Sequence, residues 1–479
     1  MNRPYHLPGA VVVIVACYLA LGVLYALYTP EWQVPDEPAH YNYIRQLAGG
    51  RFPVMESGDY RQAQLDYLVA HGFPPEVNVI GIQYQDHQPP LYYLLATPIF
   101  WASGGSLLVL RLFSVVLGAG LILVAHQVGR RVFANRAAPT LMVCVVVAFI
   151  PQHVAMMAGV NNDALAELLL GAVLLVSVSM VSNGPGHGIA PAWFAGLLLG
   201  LAFLTKLQAY IAAPVLALSI LMRWWDTGRD RRWLVRYSLG VLVPALLLGG
   251  IWWTRNLAVY GGLDVMGLSR HNAVVLGQPT TQAWLAQYGL GATLDRLVRF
   301  TFQSFWGMFG WMGLPMPTPI YLGLLVLSVA ATLLLVSLAW SRARSIRVRP
   351  ANYRPALVLG ACALLGFLSF CWYNLHFVQH QGRYLFPALI PLAVLAGLAL
   401  ERLVAGMAVL LGGMLAVMAA GIAMRISTLV AASIVSLFAA VVLSLTPRRW
   451  HWLLPVAVGA ALVALCLYAL FGLVVPGLA

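Results

Sequence analysis

The chain has 479 residues, of which 61% are hydrophobic and only 9% are charged, and its mean hydropathy is +0.83. In soluble globular domains about a quarter of the residues are charged, so this composition excludes an ordinary soluble globular domain. Repeated apolar runs of spanning length predict an all-α polytopic membrane protein instead. The formal net charge of +13 does not indicate nucleic-acid binding, because the arginines stand in short segments between apolar runs, as the positive-inside rule describes.

The first apolar run extends from Pro8 to Leu27. It is long enough to cross a bilayer, and we expect it to be retained as the first membrane helix. Eight of the 15 acidic residues follow between Glu31 and Asp86. Since arginine-rich segments stay on the inner side, this acidic segment is expected to face outward.

Residues 30–105 are predicted to form the first outer loop, with short helices lying at the membrane interface. In its sequence Asp36 is a candidate N-cap, and Gly49-Gly50 marks a helix end. At helical spacing Asp36, Glu37 and His40 can share one face. They form either an ordinary helix start or a catalytic site.

The remaining apolar runs predict about thirteen membrane crossings in total. A second long outer loop is expected at residues 254–319. Residues 1–390 would form the module that carries the polar residues, and residues 391–479 would add C-terminal transmembrane helices. The five cysteines lie in or beside apolar runs without paired spacing, which is typical of small core residues.

With this topology, the polar clusters in apolar surroundings all fall on the outer side. They are at 36–40, 86–88, 161–163, 206, 255–256 and 380–384. Ionisable residues in or beside a membrane are costly and usually functional. We therefore expect one outward-facing cavity in which cations hold a phosphate and a carboxylate acts as general base.

The segment Asp36-Glu37-Pro38-Ala39-His40 after the first span resembles the Asp-Glu-x-(x)-His loop of protein O-mannosyltransferases and of bacterial lipid A aminoarabinose transferases. Both belong to the GT-C superfamily of membrane glycosyltransferases. Four later segments are similar to family motifs in the same order: His87-Gln88-Pro89-Pro90-Leu91-Tyr92-Tyr93, Asn162-Asp163, Arg255-Asn256 with Tyr260-Gly261, and Arg383-Tyr384 with Pro387.

The resemblance implies a GT-C-like transmembrane helix bundle. Its implied activity is an inverting transfer of a sugar from a polyprenyl-phosphate donor, at the outer face of a bacterial cytoplasmic (inner) membrane. The acceptor stays open among a lipid, a glycan and a protein, and membrane lipids are the other expected partners.

Carried over residue by residue, the resemblance makes Asp36 the general base and Glu37 the group that orients either Asp36 or the acceptor. The other implied substrate-binding residues are His40, Gln88, Asp163, Lys206, Arg255, Asn256, Arg383 and Tyr384. Among them, Lys206, Arg255 and Arg383 would hold the departing lipid phosphate.

The chain departs from the family pattern at His87-Gln88, where relatives carry Glu-Lys. This change removes one acid and one phosphate-binding cation. Asp86 and His87 remain as candidate ligands for a divalent metal ion, although two adjacent ligands make a weak site.

Several alternatives remain open. His40 can be a structural hydrogen-bonding residue, Lys206 can extend to the interface, and Arg255 can anchor an aromatic belt. The competing function is a transporter or flippase of a lipid-linked sugar, and a non-catalytic scaffold is a third. Transporters place polar groups near the bilayer midplane, so polar groups gathered at one face favour the enzyme.

Overall fold

A computed structural model of the chain describes residues 8–182, 190–344, 353–403 and 407–478, apart from 425, 428, 432, 436 and 438–450. Four arginines of the expected inner segments, Arg347, Arg349, Arg448 and Arg449, lie outside the described residues. The described ranges contain one short antiparallel hairpin, formed by β1 (Met308–Phe309) and β2 (Leu314–Pro315). The rest of the regular structure is helical, which confirms the predicted class.

The helices before the hairpin are α1 (Pro8–Tyr28), α2 (Glu37–Ala48), α3 (Gln62–Ala70), α4 (Leu91–Ser103), α5 (Leu107–Val132), α6 (Ala137–Phe149), α7 (Pro151–Met157), α8 (Asp163–Ser182), α9 (Ala190–Phe203), α10 (Ala212–Asp226), α11 (Arg231–Tyr260), α12 (Leu268–Val274) and α13 (Thr281–Trp306). After the hairpin come α14 (Thr318–Arg344), α15 (Arg354–His376), α16 (Leu389–Arg402), α17 (Met407–Ala423), α18 (Leu453–Ala469) and α19 (Val475–Leu478).

In the part of the chain that the structure describes, nine helical segments are long and apolar enough to cross a membrane, or ten if α6 and α7, bent by 59°, form one span. The chain is thus a multi-pass membrane protein, but the expected thirteen crossings are too many for these residues. One reason is that α9 has only 14 residues. At 1.5 Å per residue it is shorter than a hydrocarbon core of about 30 Å.

The helix that carries the first acidic motif begins and ends where the sequence predicts. It runs from Glu37 to Ala48, with Pro38 in its first turn and Gly49 at its end. Proline is tolerated there because the first amide groups of a helix have no partner within it. Its buried face packs against α4, so these two short helices of residues 30–105 lie against each other.

A short 3₁₀ segment, Gly382–Ala388, joins α15 to α16. The span that it forms with α16 runs from Gly382 to Arg402, so the proposed boundary at residue 390 lies inside a span. The Gly382 amide donates a hydrogen bond of 2.7 Å to Ser304 Oγ in α13. A Cβ atom on Gly382 would lie 2.3 Å from the Phe305 nitrogen and 2.4 Å from the Thr301 carbonyl oxygen. Only glycine permits this close approach.

We predict that Gly382→Ala destabilises the protein by about 1–3 kcal/mol, because an added methyl group overpacks a backbone–backbone contact. The melting temperature in detergent measures the change. Gly360→Ala in α15 is the matched control, since a Cβ there meets no atom within 4 Å. Equal melting temperatures for the two variants would show that the contact at Gly382 is unimportant.

Candidate active site

A cavity of about 510 Å³ opens between residues 30–105, residues 254–319 and the Gly382–Ala388 segment. Its charged lining residues, among the residues that the structure describes, are Asp36, Asp163, Lys206 and Arg383. They come from separate parts of the chain, namely the start of α2, the start of α8, the α9–α10 break and the 3₁₀ segment. The structure thus brings the four charged residues Asp36, Asp163, Lys206 and Arg383 of the predicted site into one chamber.

Asp36 is held in the cavity by two side chains. Its Oδ1 accepts a hydrogen bond from the Tyr84 hydroxyl at 2.8 Å, and its Oδ2 accepts one from Arg383 Nη2 at 2.8 Å. Asp36 has a left-handed backbone (φ 69°, ψ −6°) and its side chain makes no helix-capping hydrogen bond. A non-glycine residue in this conformation costs about 1–3 kcal/mol. An ordinary capping role therefore does not explain its position.

The charge of Asp36 is set by opposing effects. Burial raises the pKa of its carboxyl group, but the Arg383 guanidinium and the Tyr84 hydrogen bond outweigh burial and hold the pKa below its ordinary value. Asp36 is therefore ionised at neutral pH. A ligand that draws Arg383 away would remove the main stabilising charge and make the carboxylate a stronger base.

Lys206 and Asp163 form the second ion pair of the cavity, with 2.6 Å between Nζ and Oδ1. Their side chains are 14% and 24% exposed, so an entering ligand can reach both. Lys206 stands in an extended conformation at the break before the 3₁₀ turn Leu207–Ile211. Each cation of the cavity thus has one carboxylate partner, and the four charges balance.

Glu37 has a different environment from its neighbour. Its carboxylate forms a bidentate ion pair with Arg111, at 2.8 Å to Nε and 2.6 Å to Nη2. It also accepts hydrogen bonds from the Val160 and Trp32 amides. The side chains of Glu37 and Arg111 are 0% and 3% exposed, and neither residue lines the cavity. Glu37 is thus placed to fix the start of α2 and not to touch a ligand.

His40 also lies behind the cavity wall. It is buried, and its Nδ1 lies 2.9 Å from the Tyr93 hydroxyl. Burial and then the charge of Lys206 lower the pKa of His40 to about 3. The imidazole is therefore neutral at physiological pH. Asp36, Glu37 and His40 were expected to share one face, but each side chain contacts a different set of residues.

Arg255 and Asn256 do not line the cavity. The Arg255 guanidinium donates to the Pro53 carbonyl and to Asn256 Oδ1, and it lies over the Trp252 ring at 4.8 Å. Asn256 in turn donates to the Val265 carbonyl at 2.9 Å. These two residues connect α11 to the segments around Pro53 and Val265, so the geometry does not place Arg255 at a bound phosphate.

The remaining predicted residues are divided between the cavity wall and the layer behind it. His87, Gln88 and Tyr384 line the cavity, and Asp86 does not. Gln88 Oε1 accepts a hydrogen bond of 3.4 Å from Asn162. The Arg383 guanidinium lies over the Tyr384 ring at 5.2 Å, which supports the arginine from one side.

Asp86 and His87 do not fit a metal ion between them. Asp86 Oδ2 accepts a hydrogen bond from Gln46 at 2.7 Å, while His87 Nδ1 donates to the Tyr84 carbonyl at 3.1 Å. Across the described ranges, no group of three or more His, Cys, Asp or Glu side chains is arranged to hold a metal. We therefore derive no chemical step through a metal ion.

Two residues of this arrangement were absent from the sequence prediction. Nothing in the sequence marks Tyr84 as a site residue, because a tyrosine in an aromatic-rich loop is ordinary. Arg111 does give one, since it interrupts the apolar run of α5 near its start, and an arginine inside a span needs a buried partner.

Comparisons with known proteins agree with this architecture. Residues 87–253 match the family model described as dolichyl-phosphate-mannose-protein mannosyltransferase. No curated protein sequence matches the chain.

Among solved structures, the fold is similar to ArnT from Cupriavidus metallidurans bound to undecaprenyl phosphate, with a TM-score of 0.51 and 18% identity over 98% of this chain and 74% of that chain. The apo state of the same protein gives a TM-score of 0.51 and 18% identity over 96% and 75%. The Archaeoglobus fulgidus oligosaccharyltransferase tethered with an acceptor peptide is more distant, with a TM-score of 0.46 and 14% identity over 95% and 56%.

The family-model match, over residues 87–253 of the 479, and the shared helical fold show that the chain is similar to membrane glycosyltransferases of the GT-C superfamily. This confirms the resemblance inferred from the five motifs.

We predict that Arg111→Met destabilises the protein by about 3–5 kcal/mol, because it leaves the Glu37 carboxylate buried without its cation. Thermal unfolding in detergent measures the loss. The control is Arg299→Met, which breaks a pair that is 65% and 64% exposed and should cost less than about 1 kcal/mol. Similar losses in both variants would contradict a buried structural role for Arg111.

The buried carboxyl group of Asp86 makes the stability of the protein depend on pH. Burial raises the pKa of this carboxyl group to about 8, although the Gln46 hydrogen bond opposes the shift. The folded protein therefore holds a proton that the unfolded chain has lost, and this contribution to stability is lost as the pH rises toward and through about 8. Asp86→Asn should remove that decline and raise the melting temperature at alkaline pH relative to wild type.

Melting temperatures of both proteins across the range from about pH 5 to about pH 9 measure this effect. Asp66→Asn, at an exposed position of α3, serves as the control and should follow the wild-type profile. A wild-type decline that persists in Asp86→Asn would contradict the assignment.

Proposed function

We propose that the chain transfers a sugar from a polyprenyl-phosphate donor to an acceptor hydroxyl, with inversion at the anomeric carbon, at the outer face of a bacterial cytoplasmic membrane. The observation that carries this proposal is the pairing of Asp36 with Arg383 and of Asp163 with Lys206 in one cavity. The structural similarity to ArnT bound to undecaprenyl phosphate supports a lipid-phosphate donor.

Lys206 and Arg383 would bind the phosphate of the donor. Both are partly or largely withdrawn from solvent, with 14% and 7% side-chain exposure, so a phosphate beside them is attracted more strongly than in water. The arginine can offer two parallel donors to phosphate oxygens. Arg255 has no place in this step, because its guanidinium is held by the Pro53 carbonyl and Asn256.

Phosphate binding would also activate the base. Arg383 donates to Asp36 in the free protein, and a phosphate that shares this guanidinium weakens the hold on the carboxylate. Asp36 then becomes a better proton acceptor when the donor is present. Glu37 would act as a positioning residue, because its pair with Arg111 fixes the backbone beside Asp36.

These groups would support an in-line displacement. The acceptor oxygen attacks the anomeric carbon from the side opposite the phosphate, and its proton passes to Asp36. The bond between the anomeric carbon and the phosphate oxygen breaks with its electron pair on the phosphate. Lys206 and Arg383 stabilise the negative charge that develops on the leaving lipid phosphate.

We predict that Asp36→Asn lowers sugar transfer by about 10²–10⁴-fold, because the amide cannot accept the proton. Binding of undecaprenyl phosphate should survive, since Lys206 and Arg383 remain. Transfer is measured as release of undecaprenyl phosphate from the endogenous lipid-linked sugars of membranes that contain the protein. Binding is measured with radiolabelled undecaprenyl phosphate and purified protein.

The control variant is Glu76→Gln, which removes an exposed acid from the same outer segment and should leave both measurements unchanged. Full release of undecaprenyl phosphate by Asp36→Asn would refute the base assignment. A protein that moves lipid-linked sugar across vesicle membranes with no release, in wild type and variant alike, would establish the flippase instead.

A further inference from the structure

A buried ionisable pair that the proposed reaction does not use lies behind the cavity. His153 Nε2 in α7 is 3.0 Å from Glu167 Oε2 in α8, and the two side chains are 1% and 7% exposed. Neither residue lines the cavity. Ionisable groups are costly to bury in a membrane domain, and a buried pair adds little net stability because the loss of hydration offsets the attraction. We therefore looked for a role other than stability.

Glu167 belongs to the same helix as one acid of the cavity. Asp163 and Glu167 are four residues apart in α8, so they lie one turn apart on one face of that helix. Asp163 pairs with Lys206 at 2.6 Å. The neighbouring Asn162 side chain donates to the Thr205 carbonyl at 3.1 Å. The start of α8 thus holds the segment that carries Lys206.

His153 contacts the segment that carries the other cation. Its ring meets the Phe386 ring edge-on, with 5.1 Å between the ring centroids. Phe386 lies three residues after Arg383 in the same 3₁₀ segment. The start of that segment is anchored by the hydrogen bond from the Gly382 amide to Ser304. Arg383 therefore lies between this anchor and the Phe386 contact.

The hydrogen bond to Glu167 fixes the orientation of the His153 ring. The terminal torsion of a histidine side chain has a broad energy minimum, so the ring alone would not keep one orientation. With Nε2 held, the ring stays at 81° to the Phe386 ring, an arrangement that aromatic pairs favour. The adjacent Gln152 Oε1 accepts a hydrogen bond of 2.7 Å from the Met308 amide, which holds α7 from the side of the hairpin.

We propose that the pair of His153 and Glu167 sets the distance between the two phosphate-binding cations of the cavity. Glu167 takes its position from α8, whose start holds Lys206. His153 transmits that position through Phe386 to the segment of Arg383. Both are positioning residues, since neither reaches the cavity.

The proposal rests on the proposed function, in which Lys206 and Arg383 bind one lipid phosphate. Two cations that hold one phosphate are sensitive to their spacing, because a displacement of about 1 Å can cost about 10²-fold in rate. A loss of the pair should therefore affect the binding of the phosphate and the transfer of the sugar.

The main test replaces the pair by apolar side chains of similar size, in the double variant His153→Phe with Glu167→Leu. No polar group is left unpaired, so the melting temperature should be retained or raised. The phenyl ring keeps its contact with Phe386, but its orientation is no longer fixed. We expect the Kd for radiolabelled undecaprenyl phosphate to rise about tenfold and transfer to fall about 10–100-fold. Wild-type binding and transfer in the folded double variant would overturn the proposal.

Glu167→Gln tests the orientation by itself. Its amide oxygen can still accept the hydrogen bond from His153 Nε2, so binding should stay within about twofold of wild type. A tenfold loss of binding in this folded variant would show that the charge of Glu167 matters and not the ring orientation. This outcome would contradict the proposal even if the double variant failed to fold.

The matched control removes another buried hydrogen bond. Ser114→Ala breaks the bond of 2.8 Å between the Ser114 and Tyr92 hydroxyl groups, and neither residue lines the cavity. This variant should bind undecaprenyl phosphate as wild type does. An equal loss of binding in Ser114→Ala and in the double variant would indicate general damage to the helix packing and overturn the proposal.

A second cation background separates positioning from general damage. In Lys206→Gln one cation remains, so the spacing no longer matters, and adding the double substitution should change the Kd by less than about twofold. The same tenfold loss in both backgrounds would contradict the proposal.

This background also keeps the two proposals distinguishable. If undecaprenyl phosphate binds the wild-type protein independently of Lys206, the proposed function fails and the positioning role fails with it. If binding depends on Lys206 while the double variant binds as wild type does, only the positioning role fails.

Discussion

The ion pair between Asp36 and Arg383 is the contact on which the site depends. It joins residues 347 positions apart in sequence, one at the start of α2 and the other in the 3₁₀ segment before α16. The left-handed backbone of Asp36 is strained and persists only where the surrounding structure holds it, so the ion pair helps to keep this residue in place. The pair therefore joins two distant segments at the cavity wall, and it sets the charge state of the proposed base.

Asp36 and Glu37 are adjacent in the sequence, but their different environments give them different roles. Asp36 is 22% exposed and reaches the cavity, whereas Glu37 is fully buried against Arg111. A buried carboxylate that accepts four hydrogen bonds has little freedom to exchange partners, so Glu37 fits a structural role. A partly exposed carboxylate with one shared guanidinium can exchange its partner for a ligand.

The balance of charge within the cavity suggests how the protein stays competent before substrate arrives. Unpaired cations at a membrane surface would attract any anionic lipid, while unpaired acids would repel a phosphate. Pairing each cation with a carboxylate avoids both problems. The price is that the donor must compete with Asp36 and Asp163, which favours a ligand that brings a whole phosphate group over a weaker anion.

The sequence by itself determined the membrane class, the helix that follows the first span and the set of motifs that carries the resemblance to the superfamily. These features depend on local composition and on short-range spacing. Asp36, Asp163, Lys206 and Arg383 were also recognisable, because ionisable residues in apolar surroundings are conspicuous.

Only the tertiary structure decided which of these residues share a chamber. It placed Asp36 in the cavity and Glu37 behind it, although the two are adjacent, because a left-handed residue before the helix directs consecutive side chains to different partners. It also assigned Arg255 to the loop at Pro53 and revealed Tyr84 and Arg111 as partners of the two acids. Such pairings depend on how distant helices pack, and spacing along the chain carries no information about that packing.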